Sequence, residues 1–171
     1  MLRSSWPEVS AGLGSGRRAW TLVERLRADA ALPRGQRRWL KDFEAPRIEV
    51  HIKVAKEGVA GLRYADALVL ETQPASGPPA RVESFSFKSR DLSQLGPEAL
   101  AAQMKADARA ALNYYGGTLK VLRPGLRFQV RIQRIRLVYE GGALMPDKPA
   151  KWKDAVLETQ NEVQGVEVFF Q

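Results

Sequence analysis

The chain contains no cysteine and a single histidine, His51. These absences exclude disulfides, thiolate nucleophiles, Cys-type zinc sites and any mechanism or metal motif that needs a pair of histidines. Chemistry is left to carboxylates, lysines, hydroxyls and amides. No run approaches the roughly 18 consecutive apolar residues of a membrane span, and the N-terminus has no basic segment followed by an apolar one. The expectation is a soluble chain that is not independently secreted. Negative charge is also scarce. Asp plus Glu number 19 against 27 Lys plus Arg, a formal net charge of +8 with a pI near 10.0. Such a balance favours a polyanionic partner, nucleic acid before an anionic membrane surface. At 171 residues the chain is most simply one domain, long enough to bury roughly 70% of its unfolded surface without staples.

Residues 1–45 differ from the rest and read as a loosely attached helical segment. Three of the four tryptophans lie there, Trp6, Trp20 and Trp39. Arg17–Ala31 places Trp20, Val23, Leu26 and Ala30 at helical spacing, and Pro33 to Gly35 ends that helix. A second short helix is expected over Gln36–Phe43. The Gly/Ser stretch from Ala11 to Gly16 has no strand before it and no Lys-Ser/Thr after it, so it reads as a linker and not a phosphate loop.

From residue 46 to 171 the pattern is that of one α/β (α+β) domain. Ile48, Val50, Ile52 and Val54 alternate with polar residues, the signature of a half-buried strand. Leu62–Glu71 and Arg81–Ser89 read as a hairpin about the Pro/Gly-rich turn Thr72–Ala80. Pro97 opens a helix that Gly116-Gly117 closes, with Leu100, Met104, Ala108, Leu112 and Tyr115 as its core stripe. Thr118–Leu122 is a short strand, and Arg127–Tyr139 a longer one with a bulge expected near Gln133-Arg134. Pro149–Val163 forms a last helix, and Val166–Phe170 a last strand. Hairpins joined by a helical crossover imply a mixed sheet with helices packed on it.

Asp66 sits in the apolar run Ala65–Leu70, where an acid needs a hydrogen bond, an ion partner or a metal. Beyond the turn, period two puts Ser84, Ser86 and Lys88 on one strand face and Glu83, Phe85 and Phe87 on the other. Asp66 on one hairpin strand and Lys88 on the next can face each other across the pair. They form either an ordinary cross-strand ion pair, or a metal-binding acid beside a lysine that stabilises charge building on a phosphate.

The run Arg63-Tyr64-Ala65-Asp66-Ala67-Leu68-Val69-Leu70, the turn, Glu83-Ser84-Phe85-Ser86-Phe87-Lys88-Ser89 and a glutamine-bearing helix ending in Gly-Gly resemble the PD-(D/E)xK nuclease superfamily. More narrowly, they resemble the restriction-endonuclease-like toxin domains of bacterial polymorphic toxins. The resemblance spans roughly residues 46–125. It implies an αβββαβ core flanked by helices and Mg²⁺- or Mn²⁺-dependent phosphodiester hydrolysis, with DNA a more natural substrate than RNA. Asp66 takes the place of the first metal-binding acid, Lys88 that of the catalytic lysine, and Gln103 that of a glutamine facing the site. The second metal-binding acid belongs two residues before the lysine, where this chain has Ser86. Glu83, Glu49 or Glu71 would have to substitute for it, or the fold is kept without cleavage. The resemblance further implies a bacterial effector secreted as part of a larger protein, acting in a recipient cytoplasm, with a cognate immunity protein as partner.

Arg63, Ser89, Arg90, Arg131 and Arg134 are the candidate nucleic-acid contacts. Ser89-Arg90 follows Lys88 and reads either as a phosphate site at the mouth of the cleft or as a simple strand exit. The ribbon of Lys120, Arg123, Arg127, Arg131, Arg134 and Arg136 either tracks phosphates or is a solvated strand face. His51 reads as a structural or surface residue and not as a base.

Overall fold

In a computed structural model, residues 13–72, 79–123 and 126–171 are described, with side chains from Trp20 onward and excepting 123–128. The elements run α1 (Leu13–Ala31), β1 (Pro46–Ala55), β2 (Arg63–Glu71), β3 (Val82–Lys88), α2 (Pro97–Tyr115), β4 (Gly117–Arg123), β5 (Leu126–Ile132), β6 (Arg134–Tyr139), α3 (Lys153–Glu162) and β7 (Val166–Phe170). The strands form one seven-stranded mixed sheet in the order β5-β4-β1-β2-β3-β6-β7. Pairings are antiparallel from β5 to β3, and β3, β6 and β7 run parallel.

Two cores lie on opposite faces of the sheet. On one, α2 and α3 bury Leu100, Met104, Ala108 and Ala155 against Ile52, Leu68, Leu70, Val121, Ile135 and Leu137. On the other, Leu22 and Leu26 of α1, with Trp39, Leu40 and Phe43, cover Ala67, Val69, Phe85 and Val138. Among the described residues, the N-terminal segment from α1 onward is thus not loosely attached; it supplies one of the two cores. The expected linker is also revised, since residues 13–16 lie in α1. The expected helix over Gln36–Phe43 is absent, with only a short 3₁₀ turn at Arg34–Gln36. The reason is Asp29, a buried carboxylate that accepts the N–H groups of Arg38, Trp39 and Leu40 at 2.8–2.9 Å. Those donors are fixed in a loop wrapped around the end of α1, satisfied without a helix.

The strand expected over Arg127–Tyr139 is two strands. Only Gln133 separates β5 from β6, yet β5 is the first strand of the sheet and β6 the sixth. The sheet therefore curls around α2. At the junction the Gln133 N–H donates to the Val82 carbonyl at 2.9 Å and its side-chain oxygen accepts the Val82 N–H. The Pro/Gly-rich turn expected over Thr72–Ala80 lies mostly outside the described residues.

Apolar alternation along β1 also breaks. Ile48 packs on the α1 core, whereas Ile52 and Val54 belong to the α2 core. β2 changes phase at the matching place, with Ala67 in the α1 core and Ala65 in the α2 core. The residues at the two phase changes, His51 and Asp66, are the pair missing from an otherwise continuous β1–β2 register. His51 has φ of 47°, the left-handed region that L-residues seldom adopt. No described helix is long and apolar enough to cross a membrane.

Candidate functional site

The kink at His51 and Asp66 opens the sheet where its chemistry collects. The β2–β3 ladder stops at Ala67 and Phe85. One residue beyond, the Asp66 carboxylate replaces the missing backbone partner, its Oδ2 accepting the Phe87 N–H at 2.8 Å. Burial pushes the Asp66 carboxyl above its usual range, opposed by the Phe87 N–H and by the positive charge of Lys88 and His51. Lys88 ends β3 on the same side as Ser86 by strand parity, and its positive charge acts on Asp66.

The C-terminal end of α2 closes the other side. The Tyr115 hydroxyl donates to the Tyr64 carbonyl at 3.1 Å. Burial and the nearby Asp66 charge both raise the Tyr115 pKa. Lys56 donates to the carbonyls of Leu112 (3.3 Å) and Asn113 (2.9 Å), placing a cation on the helix C-terminus. Arg63 lies over the Tyr114 ring at 4.4 Å, and the His51 and Tyr64 rings stack with centroids 4.5 Å apart.

Gln103 and Arg90 meet in a neighbouring network centred on Asp107. Both oxygens of this buried carboxylate share the single Arg90 Nε–H, at 2.9 and 3.1 Å, and it also accepts from Arg90 Nη2 at 2.9 Å, from Gln103 Nε2 at 3.1 Å and from the Tyr139 hydroxyl at 2.7 Å. Tyr139 pairs in register with Lys88, which puts the network beside the lysine. Burial and the Asp107 charge raise the Tyr139 pKa. Asp107 was not singled out in the sequence. Its available signal was position, four residues after Gln103 and so on the same face of α2. The Ser89 hydroxyl donates to Glu140 Oε2 at 2.8 Å. Beyond it lies a cleft of about 530 Å³ at the C-terminal ends of β6 and β7, lined by Thr21, Arg25, Gly141, Gly142 and Gln171 among others.

The remaining candidates lie elsewhere. Glu83 faces the α1 core, fully buried, and is bound by Arg134 with Arg136 at 3.4 Å and Arg81 at 3.9 Å. Arg134 also binds Glu167 at 2.6 Å and Asp42 at 2.7 Å. Burial lowers the Arg134 pKa, but its bonds to Glu83, Glu167 and Asp42 more than offset this, and the net shift is upward. Arg134 is therefore the hub of an internal ion cluster. Glu49 is buried and held by Arg47 at 2.6 Å. Arg131 is exposed on β5 opposite Thr118, and Lys120 is exposed on β4. The Arg123 and Arg127 side chains lie outside the described ones.

Among the described residues no three of His, Cys, Asp and Glu gather into a set able to hold a metal ion. Asp66 offers one carboxylate, with one oxygen engaged by Phe87 and no hydrogen bond to the other among the described residues. That donor set fits a cation completed by water and a substrate phosphate, as Mg²⁺ commonly is, and not one caged by protein alone. No protein-family model, curated protein or solved structure matches this chain.

Proposed function

We propose that this chain is a phosphodiesterase of nuclease type, with Asp66 and Lys88 as its reactive pair. The observation that carries the reading is the opened β2–β3 edge, where a largely buried carboxylate and a lysine share one side of the sheet. Asp66 would hold a divalent cation, Mg²⁺ or Mn²⁺, which when bound supplies positive charge to the phosphate. Lys88 adds a second positive charge where negative charge builds on the phosphoryl oxygens. Arg63 at the rim and Arg90 above Asp107 supply positive charge for flanking phosphates. Asp107, Gln103 and Tyr139 act as positioning residues for Arg90.

The test is incubation with supercoiled plasmid and with single-stranded DNA and RNA, in Mg²⁺, Mn²⁺ and EDTA. Metal-dependent cleavage lost in Asp66→Asn and in Lys88→Met, with both variants folded, is the expected result. Undiminished cleavage by either variant overturns the assignment. Delivery as a toxin domain with an immunity partner is a further proposal from the resemblance. Expression in a bacterial cytoplasm should arrest growth, and Asp66→Asn should relieve it.

Ser86 in the second acid's place favours one other reading, a domain that binds nucleic acid without cutting it. It predicts salt-sensitive retention of nucleic acid and no turnover with any divalent metal.

A further inference from the structure

The open edge carries more aromatic surface than phosphodiester chemistry needs. Tyr64 is 49% exposed, although it is a large ring next to a core position. It stacks on the exposed His51 ring at 4.5 Å with an interplanar angle of 9°. On the α2 side Arg63 covers the Tyr114 ring, and the Tyr115 hydroxyl fixes the Tyr64 backbone. Lys53 pairs with Tyr64 across β1 and β2. By strand alternation Arg63 lies on the α2 face and Tyr64 with its partner Lys53 on the other, so flat rings, an arginine plane and a lysine flank both faces of the opened edge within a few residues of Asp66, on a strongly basic chain.

We propose that this edge is a stacking platform for unpaired nucleotides, and that the polymer is bound single-stranded with bases on the Tyr64–His51 pair and the Arg63–Tyr114 pair. Bases in a duplex have both faces covered by their neighbours, so an exposed ring stack has nothing to pair with there. Unpaired bases present a free π-face, and stacking on aromatic and guanidinium planes is the usual way proteins hold them. The backbone of such a strand would run beside Asp66 and Lys88, with Lys53 and Arg63 against its phosphates. The platform deepens the nucleic-acid reading by naming the strand state of the substrate, and it does not require cleavage.

The experiment measures fluorescence anisotropy of labelled oligo-dT, oligo-U and a duplex of equal length in EDTA, so that nothing is cut. Both single strands should bind more tightly than the duplex. Tyr64→Ala should weaken single-strand binding roughly tenfold without changing the salt slope, since stacking releases no counterions. Tyr64→Phe should restore it, and Arg63→Ala should lower both affinity and slope. Thermal melting confirms that each variant is folded. Preference for oligo-dT or for oligo-U separates DNA from RNA within the proposal. Equal binding of duplex, or single-strand binding indifferent to Tyr64→Ala, overturns it. Cleavage is scored separately in Mg²⁺. Tyr64-dependent binding without turnover sinks the nuclease reading and keeps this one; turnover with Tyr64-independent binding does the reverse.

Discussion

Replacing Glu83 by glutamine separates a structural acid from a functional one. Its side chain is fully buried and engaged by Arg134 and Arg136, while one oxygen, Oε2, has no partner among the described residues. Arg136 is itself buried, its side chain 4% exposed between the rings of Phe85 and Phe169. Burial depresses the Arg136 pKa, and the Glu83 charge beside it is the chief influence opposing that depression. Glu83→Gln keeps the volume but leaves two arginine charges facing an amide. Breaking a buried pair in this way costs roughly 3–5 kcal/mol. At roughly 2–4 °C per kcal/mol for a chain of this size, the melting midpoint should fall by about 6–20 °C. Thermal denaturation followed by tryptophan fluorescence reads this directly, because Trp39 lies in the same core. Cleavage, measured below the lowered midpoint, should persist. A variant that melts within about 2 °C of the wild type and cuts nothing would refute the reasoning, and would make Glu83 a working acid despite its placement.

Asp66→Asn should change stability in the opposite direction. Burial raises the Asp66 pKa in the folded chain, so the stability tied to its neutral form is present below the ordinary aspartate range and is lost as pH rises through the raised value. Asparagine keeps an acceptor for the Phe87 N–H and never ionises. The variant should therefore melt above the wild type at pH 7, with the gap closing in acid below the ordinary aspartate range; a gap constant with pH would contradict the cause given. Asp107→Asn should cost about 2 kcal/mol, since it removes the charge that Arg90 pairs with and weakens the acceptor for Tyr139. If Arg90 positions a flanking phosphate, the same variant should raise KM more than it lowers kcat, and unchanged kinetics would exclude that role.

Much of the fold follows from periodicity, and the gaps have physical causes. The strands from Pro46 to Lys88 and the α2 helix end within a residue or two of where alternation, Pro97 and Gly116-Gly117 place them. Parity along Val82–Lys88 correctly separates Glu83 from Ser86 and Lys88. What the pattern lacks is long-range partners. Arg134 looks like one of a row of basic residues along a strand, and its acids come from positions 42, 83 and 167. Gln36–Phe43 looks helical until Asp29 captures its donors. One residue, Gln133, sends a continuous-looking strand to two places in the sheet. The kink at His51 was not legible either, because a single left-handed residue leaves the apolar spacing of Ile48 to Val54 intact while turning its second half over.

That kink links the fold to the site. A left-handed histidine costs on the order of 1 kcal/mol in backbone strain. At the same place β2 and β3 give up a ladder bond, a carboxylate is buried against its own ionisation, and a tyrosine ring is left half in water. Each feature lowers stability, and local rules favour none of them. An uninterrupted β1–β2–β3 meander with an apolar residue at 66 would avoid all four. Unfavourable features collected within a few residues, beside a lysine and two arginine planes, are what a binding or catalytic edge requires, since an interrupted ladder frees backbone N–H and C=O groups that a regular sheet would consume and lets side chains take their place. The same concentration explains why Asp66→Asn should gain stability where Glu83→Gln loses it. Asp66 is the less buried of the two, yet its carboxylate has one backbone N–H as partner, whereas the fully buried Glu83 is held by the charges of Arg134 and Arg136.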